Sequence, residues 1–201
     1  MLTIRHLNRL WSDKNHTRLF RDLLAYRPDA AALAQVQLAQ PFATAALGLI
    51  RLHELHQDHT PLYTTLLRHL LAAQQSDGGW SDPATTSICL RALLLGQSAR
   101  GDAIDRALTY LAHLQKSDGL WPSIPIRRLP ADPEVSAFIL SQLVDAPRFT
   151  AAIRLDDAFD WFDAHASALD PHTRALWQRA RTRCRARAHL AQFAENFTKL
   201  H

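Results

Sequence analysis

At 201 residues and 22.7 kDa the chain suits one domain with a sizeable buried core. Apolar residues make up 47% and charged residues 21%, a balance that excludes a disordered polar chain. The net charge of +4 comes from the C-terminal end, where residues 170–201 hold six arginines and Lys199 against Asp170 and Glu195.

The opening stretch, MLTIRHLNRLWSDKN, lacks an apolar signal core. No uninterrupted apolar run in the chain reaches the ~18 residues that a membrane helix requires. Two cysteines, Cys89 and Cys184, are too few for a disulfide framework and show no metal-ligand spacing. A cytoplasmic location is therefore expected, with no transmembrane segment.

Helical periodicity dominates, and strand-like alternation is nearly absent. In chain order the predicted helices run over 16–26, 29–39, 42–56, 62–75, 83–96, 102–115, 133–144, 149–165 and 171–199. Pro41, Pro61, Pro83, Pro133 and Pro171 sit where a first helical turn tolerates a missing N–H. Asp82, Asp102, Asp132 and Asp170 precede helical runs, where a carboxylate can cap free amides. The expected organisation is a single all-α domain over 1–201. It comprises N-terminal helices over 1–40, three helical hairpins over 41–168 and a basic helix over 169–201.

The hairpins come from an internal repeat. QQSDGGW at 74–80 returns 41 residues later as QKSDGLW at 115–121. FATAALGLIRL (42–52) aligns at the same offset with PATTSICLRAL (83–93), which aligns at an offset of 50 with PEVSAFILSQL (133–143). RALTYL (106–111) falls on TLLRHL (65–70) upstream and on DAFDWF (157–162) downstream. A period of 40 to 50 residues predicts stacked supersecondary units that bury their faces against neighbours.

Each heptapeptide reads as a helix-ending device. Gln74 and Gln115 bring amides to frayed backbone groups, and Asp77-Gly78 and Asp118-Gly119 turn the chain. Trp80 and Trp121 then pack back on the helix, each indole N–H needing an acceptor. The full pattern is basic residue, Ala, two residues, aromatic, Leu, three residues, Gln, three residues, Gly, any residue, Trp. Arg106, Ala107, Tyr110, Leu111, Gln115, Gly119 and Trp121 fill it.

This pattern strongly resembles the Gln–Trp repeat of the squalene cyclase, terpenoid cyclase and protein prenyltransferase superfamily, over about residues 41–165. The resemblance implies an α/α toroid with inner and outer helices alternating along the chain, and a bracing role for the Gln–Trp device. A complete ring needs more hairpins than this chain carries, so a partial toroid is expected. A homodimer, a partner protein or terminal helices folded across its ends would cover what is left open.

The class II cyclases of this family protonate an alkene or epoxide with an Asp-x-Asp-Asp cluster at the start of an inner helix. The central carboxyl must be held neutral to serve as a strong acid. In the first register, DPAT (82–85) puts Ala84 at the acid position. In the second, DPEV (132–135) keeps Asp132, offers Glu134 at the acid position and replaces the last aspartate with Val135. The competing reading is an ordinary capped helix start with an acidic first turn.

Three further segments carry alternatives. DDAFD (156–160) spells the aspartate-rich motif of class I terpene enzymes, but Asp156, Asp160 and Asp163 trace a polar stripe as a solvated face would. His53 and His56 lie one turn apart, near Asp58 and His59, but miss the zincin spacing, and Ser87 stands where prenyltransferase zinc binding needs aspartate before Cys89. No metal or cofactor is expected. The last helix has a stripe at Trp177, Ala180, Cys184, Ala188 and Ala191, surrounded by Arg179, Arg181, Arg183, Arg185 and Arg187. Those arginines are either solvated and paired or an anion-binding surface, and no base-reading motif points to nucleic acid.

The expected function is a non-catalytic binding or accessory module for an apolar, isoprenoid-like small molecule or a partner protein. The alternative is a compact class II cyclase-like isomerase or lyase using Asp132 and Glu134.

Overall fold

The computed structural model describes residues 39–96 and 101–198, with side chains of the last helix described as far as His189. The predicted helices over 16–26 and 29–39, and Ala191 of the stripe, lie outside these. The described residues belong to a compact unit, Val36–His201. Among them there is no strand, and eight helices follow one another: α1 (Gln40–Glu54), α2 (Pro61–Ala72), α3 (Pro83–Leu95), α4 (Gly101–Leu114), α5 (Pro133–Leu143), α6 (Pro147–Ala152), α7 (Leu155–His165) and α8 (Pro171–Thr198).

Proline and aspartate set the helix starts. Proline occupies the first turn of α1, α2, α3, α5 and α6, where its fixed φ is already helical. Asp82 accepts from Thr85 N at 2.7 Å, and Asp170 accepts from His172 N and Thr173 N at 2.9 and 3.0 Å. Asp102 departs from the expected pattern. The helix begins at Gly101, so Asp102 lies inside the first turn and pairs with Arg106 at 3.4 Å.

Alternate helices form a row. α3 packs against α1 on one side and α5 on the other, and α8 packs against α5 as its next member. α2 lies on α1, α4 on α3 and α6 on α4. The middle row helices α3 and α5 are buried nearly all round. Ile88, Leu90 and Leu93 of α3, like Phe138, Ile139 and Leu140 of α5, are fully inaccessible. Helices α2, α4 and α7 bury one stripe each and expose the other face, as outer-layer helices do.

The segment 149–165 is not one helix. α6 stops at Ala152, Ile153 and Arg154 are extended or irregular, and α7 starts at Leu155. The side chain of Gln115, 39 residues earlier, occupies the break. Arg154 N donates to Gln115 Oε1 at 2.8 Å, and Gln115 Nε2 donates to Arg154 O at 3.0 Å. Both backbone groups of Arg154 are thus taken by a side chain, which outcompetes the helical ladder at that residue.

α8 covers the end of the row with Thr173, Leu176, Trp177 and Ala180, all buried. Phe159 and Phe162 of α7 meet Trp177 with ring centroids 4.6 and 4.8 Å away, edge-on and stacked respectively. The predicted stripe therefore holds at Trp177 and Ala180. It fails at Ala188, which is exposed because the helix runs on past the row that it covers.

Candidate functional site

The two heptapeptides make the same bonds. Trp80 Nε1 donates to Leu70 O and Trp121 Nε1 to Leu111 O, both at 2.8 Å, so each indole closes the end of its own helix. Gln74 Nε2 donates to Gly78 O at 2.9 Å and to Ala103 O at 2.8 Å. Gln115 Nε2 likewise serves Gly119 O at 2.9 Å and Arg154 O. Asp77 and Asp118 accept the N–H two residues on, at 2.9 and 3.1 Å. Each glutamine thus ties its own turn to the start of the next outer helix, α4 or α7.

Glycine is required for that approach. Gly78 and Gly119 adopt φ of +93° and +80°. A Cβ on Gly78 would stand 2.4 Å from Arg106 O, and one on Gly119 would stand 2.2 Å from Ala158 N. Both tryptophans are fully buried.

Sequence reasoning missed the partners across the turn. Thr86 Oγ1 accepts from Trp80 N at 2.9 Å and Ser136 Oγ accepts from Trp121 N at 2.8 Å. Thr85, Thr86, Ser87 and Ser136 are fully buried. Polar residues opening a buried helix were the available signal, since a buried hydroxyl needs a partner.

The acidic register lies at the start of α5. Asp132 Oδ1 accepts from Glu134 N at 3.0 Å and Val135 N at 3.2 Å, which makes it the helix cap. The Glu134 side chain is 43% exposed, with His172 Nε2 of α8 at 3.4 Å from its Oε1. No hydrogen-bond geometry accompanies that separation. Partial burial holds the Glu134 carboxyl above its ordinary range, opposed by His172 and helped by Asp132 and Asp170. In the first register Asp82 is raised by burial, while Thr85 bonds both of its oxygens and Ala84 beside it is buried.

The remaining candidates disperse. Asp156 and Asp160 are exposed, and Asp163 pairs with Arg181 at 3.1 Å. His53 Nδ1 lies 2.7 Å from Asp58 Oδ2, and His56 and His59 are exposed. Among the described residues no group of His, Cys, Asp or Glu gathers to hold a metal. Arg183 bonds Asp145 and Ser141 O, and Arg187 bonds Thr150 Oγ1 at 3.0 Å. Arg179 is half-buried and Arg185 exposed. Three of the five guanidinium groups are therefore spent fastening α8 to α5, α6 and α7, rather than gathered around an anion.

Elsewhere, a groove of about 390 Å³ opens beside the C-terminal ends of α3 and α5. Leu94, Leu95, Leu143 and Pro147 supply apolar walls, and Arg91 and Arg183 stand among the polar lining. No described helix is long and apolar enough to cross a membrane.

A partial relative is found among known proteins. The chain is 45% identical over 67 residues to the drimenyl diphosphate synthase of Streptomyces showdoensis. The match points to the terpenoid cyclase superfamily. It covers 29% of this chain and 13% of that protein, so the chain spans a small part of the relative's length. No protein-family model matches the chain. No solved structure matches it either.

Proposed function

We propose that this chain is a terpenoid cyclase-related helical scaffold, an arc of an α/α toroid, that binds an apolar isoprenoid-like molecule or a partner protein without transforming it. The setting of Glu134 carries the reading. A carboxyl able to protonate an alkene needs an enclosed apolar pocket and a neighbouring carboxylate. Glu134 has nearly half its side chain in water, a histidine beside it and Val135 where the neighbour would be. Asp132 is committed to capping.

The groove walled by Leu94, Leu95, Leu143 and Pro147 supports the binding half of the reading. Tryptophan fluorescence titration with squalene and with linear prenyl diphosphates tests it. Saturable binding is expected for at least one of them, unchanged by Glu134→Gln and weakened by Leu95→Arg. Absence of saturable binding to every prenyl ligand overturns the ligand-binding form.

The class II reading keeps one observation in its favour, the raised Glu134 carboxyl. Glu134 would then donate the proton and Asp132 would orient it. The chemistry separating the two readings is turnover.

A further inference from the structure

The two copies of the Gln–Trp turn hand the chain on differently. After Trp80 a single residue, Ser81, leads to the capping Asp82. After Trp121 ten residues intervene before the equivalent Asp132, and this extra length changes the repeat offset from 41 to 50. Asp132 N donates to Trp121 O at 2.8 Å, so the insertion leaves and returns at the same point as a closed Ω-type loop. The fold reaches α3 without such a loop, so the extra segment is not needed to start a row helix.

We propose that residues 122–130 form an anchoring loop that seats this protein on an anionic lipid surface. The loop is PSIPIRRLP, and residues 123–128 are all exposed. The large exposed apolar side chains among the described residues are Leu55, Ile124 and Ile126, at 44, 44 and 46%, so two of the three stand on this tip. Arg127 and Arg128 come directly after, and Lys116 Nζ donates to Arg127 O at 3.0 Å, adding a third cation at the base. Residues 122–131 contain no acid. The flanking carboxylates are occupied, Asp118 with Leu120 N and Asp132 with its helix cap.

The loop is also preorganised. Pro122, Pro125 and Pro130 fix φ, and the bonds Ile126 N to Ile124 O (2.7 Å) and Leu129 N to Ile126 O (3.0 Å) hold the tip. Little ordering entropy remains to be lost on docking. A lipid surface fits this chemistry better than a protein partner. A stable protein contact needs about 800 Å² per side centred on buried aromatic or arginine anchors. A membrane interface accepts a few aliphatic side chains flanked by cations whose stems lie along the apolar surface. Anchoring of this kind does not depend on the roles of Asp132 and Glu134.

Sedimentation of the full chain with phosphatidylcholine vesicles, with and without phosphatidylserine, tests it. The chain is expected to sediment with the mixed vesicles and not with phosphatidylcholine alone, and to be released by high salt. Ile124→Ser/Ile126→Ser should lower the partition coefficient about tenfold. Arg127→Gln/Arg128→Gln should lower it by about fivefold per arginine. Circular dichroism and thermal midpoints should not move, because the four side chains are exposed. As a readout independent of those variants, Ile126→Trp should show a blue-shifted emission with mixed vesicles. A wild-type chain that stays in the supernatant with mixed vesicles, variants that bind as the wild type does, or an unshifted tryptophan each overturns the proposal. So does a dimer by light scattering that the isoleucine variant dissolves without any vesicle binding, which would assign the loop to a second copy.

Discussion

Gly119 and Trp121 act on the same turn by opposite means, one by leaving space and the other by filling it. Gly119→Ala would meet both a positive φ and a backbone nitrogen at 2.2 Å, so a loss of about 1–3 kcal/mol or more is expected in chemical denaturation. Gly101→Ala is the control. No described residue lies within 4 Å of its Cβ position, and the helix should be neutral or slightly stabilised. Trp121→Ala should cost about 3–5 kcal/mol, because it leaves a cavity and strips Leu111 O of its donor. Equal midpoints for Gly119→Ala and Gly101→Ala would refute the close-approach account. The turn was legible because glycine, glutamine and tryptophan carry distinct physical demands at fixed spacing. Thr86 and Ser136 were not, because small hydroxyl residues in a buried helix look like neutral filler until the neighbouring N–H is placed.

Helix starts were legible for the same reason, since aspartate followed by proline leaves few alternatives. Asp170 gives that statement a pH dependence. Hydrogen bonds from the Thr173 hydroxyl, then from the Thr173 and His172 amides, hold its carboxyl below the ordinary range. A folded pKa below the unfolded one means that the charged cap stabilises above the unfolded value and is lost as pH falls through the folded one. Asp170→Ala should therefore cost about 1 kcal/mol at pH 7. That difference should shrink on acidification below about pH 4, as the unfolded carboxyl titrates. A difference that is independent of pH would contradict the cap. The break between α6 and α7 was hidden because Phe149 and Ile153 before it, and Phe159 and Phe162 after it, each keep a helical spacing of four and three residues. A long-range bond from Gln115 imposes the interruption, and no local pattern encodes that partner. The arginines of α8 were legible as a charge run but not as fasteners. Their acceptors Asp145, Thr150 and Asp163 come from three other segments.

Among the described residues, burial separates α3 and α5, enclosed nearly all round, from α2, α4 and α7, which keep one face in water. α3 and α5 bury residues on all sides, small hydroxyls included, whereas α2, α4 and α7 bury one stripe each. Among the described residues, α8 covers the row on its α5 side. Glu134 lies in the first turn of a helix, as expected, but its surroundings depend on α8, which contributes His172 from 38 residues away. Sequence spacing could not supply that neighbour. The most direct test of the non-catalytic reading is product analysis after incubating the purified chain with squalene and with linear prenyl diphosphates, beside Glu134→Gln. Both proteins should return the substrates uncyclised. Cyclised product from the wild type that disappears in Glu134→Gln would contradict the account and establish Glu134 as the acid.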